Sequence, residues 1–254
     1  MDEDDKIPFT EHLEELRTRL IRSFIAVGIG FAVSYGFKEK IFEVLIHPLV
    51  SVLPTDGKMI FTGLPEAFFT YLKVAFLSGL LAASPVIIFE FWMFVSPGLY
   101  KKEKTLLIPI IILSTVFFLG GALFGYFIVF PYGFKFFLGF ANENIQALPS
   151  MREYLSFAAK MLLAFGLVFE LPLVITFMAR LGIVTVDTLK KNRKYAVLLF
   201  FAGSAILTPP DVVTQVMMAV PLMFLYEISI FGARIFGKKK SEEEPQKPAA
   251  EVQK

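Results

Sequence analysis

The chain has 254 residues, 56% of them hydrophobic and only 19% charged, with 30 Phe, a balance that excludes an ordinary water-soluble domain. It has no cysteine, and its two histidines, His12 and His47, stand far apart, so disulfide frameworks, thiolate metal sites, thiol nucleophiles and a histidine ligand pair are excluded. The formal charge of +2 is small as a sum and becomes informative only through where the charges fall.

The first residues, MDEDDK, lack the basic region and small-residue cleavage site of a secretory leader, so the first apolar run is expected to remain as a span. Residues 1–19 read as a cytoplasmic amphipathic lead-in. Leu13, Leu16 and Leu20 recur at helical spacing, Thr10 stands as N-cap, Glu11 falls in the first turn, and Glu15 with Arg19 makes an i,i+4 pair in the favourable order. Six apolar runs follow, at roughly 20–37, 68–95, 106–130, 154–179, 195–207 and 212–233. Between the first two, residues 38–67 carry short amphipathic pieces broken by Pro48, Pro54, Gly57, Gly63 and Pro65, an ordered outer cap. Residues 131–153 begin with an aromatic-rich helical pattern and suit a segment lying at the membrane interface. The fifth run, about 20 Å of helix, cannot cross a core of about 30 Å squarely. Its partner follows after only TPPD, so the fifth and sixth helices are both expected to be short. Residues 234–254 are expected by composition to be a disordered cytoplasmic tail.

An even number of spans puts both termini on one side, and the flanks on that side hold 18 of the 25 Lys and Arg residues. Cytoplasmic flanks carry the basic excess, so both termini are expected to be cytoplasmic. The sequence therefore predicts an all-α integral membrane protein with six transmembrane helices.

Three acids lie inside these spans. Glu90, Glu170 and Glu227 sit roughly 8, 15 and 10 Å from the cytoplasmic side at about 1.5 Å per residue. Glu90 and Glu227 can be interfacial or paired with Lys and Arg at helix ends. Glu170 is deeper, two residues before Pro172, which frees the carbonyl of Val168, so a polar recess within the membrane is expected there. Glu15 reads either as a solvated pair with Arg19 or as a binding carboxylate, and Glu103, among three lysines in the inner loop at 94–104, either as a charge-balanced turn or as a second one. In TPPD, Thr208 can cap a helix with Pro209 at its first position and Asp211 reaching back, and Gln215 extends that polar patch by one turn. There is no GxxxxGK[ST] phosphate loop and no HExxH, so no enzyme activity, cofactor, metal or nucleic-acid partner is expected.

In order along the chain, HLEELRTRL at 12–20, PEAFFTYLK at 65–73, FVSPGLYKKEK at 94–104, FELP at 169–172 and LTPPD at 207–211 ahead of Gln215 resemble the TatC family, the polytopic receptors of the twin-arginine protein translocase. The resemblance runs over roughly residues 9–235 and implies a cupped bundle of six helices in the cytoplasmic (inner) membrane. It further implies a receptor that binds twin-arginine signal peptides and joins single-span partners of the TatA and TatB types, with self-association, to export folded proteins on the proton-motive force. By resemblance Glu15 and Glu103 grip the two guanidiniums, with Arg17, Phe94, Leu99, Tyr100 and Lys101 shaping the site. Two adjacent acids suit this work because guanidinium forks match carboxylates in strong charge-assisted bonds. The resemblance also implies that Glu170 contacts a partner's transmembrane helix, and that Thr208, Asp211, Gln215 and the cap residue Pro48 occupy positions linked to function. The competing reading is a proton- or cation-coupled secondary transporter, with Glu170 and Glu90 in a relay.

Overall fold

Inside hydrocarbon a backbone can satisfy its own polar groups only as helix or as closed barrel. A computed structural model describes residues 9–54, 59–96, 107–142, 147–207 and 212–237, and every regular element among them is helical. In chain order these are α1 (Phe9–Gly36), α2 (Lys38–Val50), α3 (Glu66–Val95), α4 (Leu107–Phe124), a π segment (Gly125–Val129), α5 (Phe130–Leu138), α6 (Met151–Phe169), α7 (Leu171–Arg180), α8 (Val186–Lys191), α9 (Arg193–Leu207) and α10 (Val212–Phe236).

Four runs are each long and apolar enough to cross a membrane: α3, the continuous stretch Leu107–Leu138, the stretch Met151–Arg180, and α10. The pair α1 and α2, bent by 87°, meets the same requirement jointly. The helix at the fifth apolar run, α9, has 15 residues, only about 22 Å, and falls short of that requirement. Shortness thus belongs to α9. In contrast to the expectation for the last span, α10 runs for 25 residues, about 37 Å. It is held along α7, where Gly232 lies against Thr176 and Gly237 closes on Ala179.

One end of the bundle gathers the first turns of α1 and α4 with the last turns of α3, α7 and α10. Trp92, Leu107, Leu173 and Phe177 form its apolar cluster, packed by Val95 and Leu181. This end is called the terminal face below. The opposite end, the cap face, holds α2, α5 and the described loop residues 51–54, 59–65, 139–142 and 147–150. The larger core lies between, built on Val74, Phe130, Leu155, Met161, Phe165 and Met218.

Three local features differ from the sequence reading. Thr10 lies inside the first turn of α1, which begins at Phe9, so it is not the cap. The helix α2 runs through Pro48 to Val50. Pro48 has no N–H to give the carbonyl of Val44, and the Tyr126 hydroxyl donates to that carbonyl instead, while Tyr154 donates to the carbonyl of Leu45. Residues 131–138 do not form a separate interfacial segment. The π segment carries α4 directly into α5, and its wider turn brings Tyr126 to α2.

Between α1 and α3 the backbones touch. A Cβ on Gly30 would stand 2.6 Å from the carbonyl oxygen of Gly79, so even alanine would push the helices apart. Such small-residue contacts replace the hydrophobic drive that helices lack in lipid.

The cap face is knotted by Glu66. This buried carboxylate accepts from the Thr62 N–H (2.7 Å), the Gly63 N–H (3.2 Å), the Thr62 hydroxyl (3.2 Å), the Ser150 hydroxyl (2.8 Å) and the Arg152 N–H (3.1 Å). Ser150 is also the N-cap of α6, accepting from Arg152 N–H at 3.2 Å. The start of α3, the start of α6 and the loop between α2 and α3 are therefore tied at one side chain. Glu66→Ala is expected to lower the thermal unfolding midpoint of the purified protein in detergent, and by more than Glu66→Gln, which keeps one oxygen acceptor.

Candidate functional site

On the terminal face, α1 presents His12, Glu15, Arg19 and Arg22 in one stripe at three- and four-residue spacing. Arg19 is the hub. Its Nε (2.9 Å) and Nη2 (2.6 Å) both donate to Glu15 Oε1, and its Nη1 donates to Glu90 Oε2 on α3 at 3.0 Å. Arg22 Nη1 lies 3.7 Å from the other oxygen of Glu90. Glu90 is 6% exposed and so has the cationic partners its burial demands. Of its two sequence readings, pairing with a helix-end cation is the one found. His12 stacks on Phe94, with ring centroids 4.4 Å apart and planes 17° from parallel, and its Nδ1 is 3.9 Å from Glu15 Oε2. Glu15 Oε2 accepts no hydrogen bond among the described residues. Glu11, Glu14 and Glu15 flank a shallow hollow of about 370 Å³ bounded also by Thr18, Arg19 and Arg22. Arg17 is exposed and makes no ion pair among the described residues.

The structure thus brings Glu15 and Phe94 together, with His12, Arg19 and Glu90 in addition. Leu99, Tyr100, Lys101 and Glu103 lie outside the described residues, as do Thr208 and Asp211 and the tail from 238 onward. Gln215 donates to the Phe201 carbonyl at 2.9 Å and so ties α10 to α9. Pro48 is buried in α2 on the cap face, away from the terminal face.

A second polar site lies within the membrane. Pro172 interrupts the hydrogen-bond ladder, so α6 ends and α7 begins at Glu170, and the N–H of Glu170 turns back to the Leu167 carbonyl at 3.1 Å. Glu170 lines a groove of about 520 Å³ between α3, α4, α6 and α7, walled by Leu80, Ile88, Phe118, Leu167 and Val174. The Ser114 hydroxyl donates to Glu170 Oε2 at 2.6 Å, and the Trp92 indole N–H donates to Ser114 at 2.9 Å. Glu170 Oε1 has no hydrogen-bond partner among the described residues. The polar recess expected from the sequence is present as this chain of three side chains.

Sequence reasoning missed His12, Trp92 and Ser114 and the pairing of Arg19 with Glu90. The available signal was depth: Arg19 and Glu90 both lie near the terminal end of antiparallel neighbours, and Ser114 and the single Trp are polar groups inside apolar runs.

The family model described as Sec-independent protein translocase protein (TatC) matches residues 11–221. The chain belongs to the TatC family. A Sec-independent protein translocase protein TatC of Desulforapulum autotrophicum is 68% identical over 95% of this chain and 90% of the relative. The protein of that name from Escherichia coli K12 is 37% identical over 96% of this chain and 95% of the relative. A solved structure described as the crystal structure of the twin arginine translocase receptor TatC superposes with a TM-score of 0.80 at 41% identity, covering 89% of this chain and 99% of the other. The TatC fold is a six-helix membrane bundle, and this chain shares it.

For this TatC-family chain, Ser114→Ala removes the acceptor of the buried Trp92 N–H and the donor to Glu170 together. A stability loss of about 1–3 kcal/mol is expected from the unpaired groups. Because Trp92 is the sole tryptophan, its fluorescence emission checks the assignment by moving to shorter wavelength in the same variant.

Proposed function

We propose that this chain is a twin-arginine translocase receptor of the cytoplasmic (inner) membrane, with its terminal face and both termini in the cytoplasm. On that face it reads the two guanidiniums of a twin-arginine signal peptide, with Glu15 as one carboxylate and Glu103 as the second. The observation that carries this reading is the Glu15 carboxylate, fixed on one side by Arg19 and open on the other beside the stacked His12 and Phe94 rings. One oxygen of Glu15 is already committed, so a ligand carrying two cations needs a second acid, and Glu103, in the segment that joins α3 to α4 in the sequence, supplies the charge in this reading. Phe94 offers an aromatic surface on which a guanidinium can stack. Arg17, Leu99, Tyr100 and Lys101 complete the surroundings.

The groove at Glu170 is the second working surface in this reading. A single-span partner of the TatA or TatB type docks there and gives a polar side chain to the Glu170 carboxylate. An interhelical polar contact of this kind averages under about 2 kcal/mol, which suits a partner that joins and leaves. Thr208, Asp211 and Gln215 mark a further partner contact beside the short α9, where lipid thins. The secondary-transporter alternative is not favoured by the family to which the chain belongs.

The test is site-specific crosslinking of a twin-arginine peptide to the full-length protein in membranes. Glu103→Ala is expected to abolish the crosslink and Glu15→Ala to weaken it at least tenfold, with the melting curve unchanged. Crosslinking at wild-type level in both variants would refute the site. Glu170→Ala, in contrast, is expected to lose crosslinks to the partner's transmembrane helix while peptide binding stays intact. Joint loss of the two would mean that Glu170 is structural.

A further inference from the structure

We infer that Arg19 is an internal competitor for Glu15 and sets the preference of the peptide site for arginine over lysine. The inference rests on the receptor reading above. In the unliganded chain Glu15 already holds a guanidinium, because Arg19 places Nε at 2.9 Å and Nη2 at 2.6 Å on the same oxygen. Oε1 is filled by those two donors, and only Oε2 is left for an arriving cation. A ligand that is to engage the carboxylate through both oxygens must take Oε1 from Arg19.

The geometry makes that exchange feasible without stranding a charge. Arg19 is anchored at its other end, where Nη1 donates to Glu90 Oε2 at 3.0 Å, and Arg22 stands 3.7 Å from Glu90 Oε1. When Arg19 releases Glu15 it therefore keeps a carboxylate partner in a site where its own side chain is only 16% exposed. Without Glu90, release would leave a nearly buried cation alone, and the exchange would be strongly opposed.

Competition then discriminates between cations. An arriving guanidinium brings a planar fork and restores two charge-assisted bonds for the two that Arg19 gives up, so the exchange is close to balanced. An arriving ammonium is a point charge and cannot reproduce the fork, so it loses the contest. An acid with no internal partner would take either cation with less distinction.

The experiment uses the full-length protein in lipid nanodiscs and two fluorescent signal peptides that differ only in an Arg-Arg or a Lys-Lys pair. The double variant Arg19→Gln with Glu90→Gln removes the competitor and its anchor together, leaving no buried unpaired charge. The ratio of lysine-peptide to arginine-peptide Kd is expected to fall about tenfold in the double variant, the weight of one hydrogen bond to a charged group. The single variant Arg19→Lys keeps the charge on Glu90 but not the fork. It is expected to shift the ratio in the same direction by a smaller factor, which covers the case in which the double variant does not fold. A ratio unchanged in the variants, or affinity lost equally for both peptides, overturns the inference and makes Arg19 a scaffold residue. Failure of the wild-type protein to bind either peptide instead overturns the receptor reading itself.

Discussion

A carboxylate set below the surface of a membrane must find a donor on a neighbouring segment, because neither lipid nor water supplies one there. Much of this architecture follows from how three acids meet that demand. Glu90 draws Arg19 and Arg22 across from α1 and fastens α1 to α3. Glu170 takes a hydroxyl from α4, and that hydroxyl takes an indole N–H from α3, so three helices converge on one point. Glu66 collects donors from two loops at the cap face. The pair Arg193 and Glu227 is a useful contrast. Both side chains are about half exposed, and such a pair contributes little stability.

The two polar sites on the terminal side differ in what they leave open. At Glu15 the uncommitted oxygen faces the outside of the bundle, beside aromatic rings and among other glutamates, which suits a soluble cationic segment. At Glu170 the uncommitted oxygen is buried, and the residue lines an apolar groove, which suits a hydrophobic helix carrying one polar side chain. The two sites share α3, since Phe94 and Glu90 serve one and Trp92 the other within five residues. A change in the packing of the last turn of α3 therefore touches both.

The long helices were legible in the sequence because a bilayer imposes a long, coarse signal: α3, α9, α10 and the stretch Met151–Arg180 end within three residues of their apolar runs, whereas α1 begins 11 residues before its run and α4 continues through α5 to Leu138. Local punctuation was less reliable. Pro48 reads as a break, yet α2 continues, with the hydroxyl of Tyr126, distant in sequence, giving the Val44 carbonyl the donor that Pro48 lacks. Likewise Pro131 does not stop the helix that enters it, because the π segment just before it absorbs the change of register. The site was half legible. Glu15 and Glu170 stood out as acids in telling places, and Arg19 was seen only as a neighbour of Glu15 along its own helix. Its reach to Glu90, and the pairing of Ser114 with Glu170, depend on which helices are adjacent, and no local pattern encodes that.

Helix α1 runs unbroken for 28 residues, about 42 Å, from the terminal face to the sharp bend at Phe37. Its closest approach to α3, at Gly30, falls about three-quarters of the way along. That contact divides the rod into unequal arms, and the long one is pinned to α3 a second time where Arg19 meets Glu90. Held at two points, α1 cannot pivot on Gly30 alone, so any displacement of its first turns has first to break the Arg19–Glu90 pair.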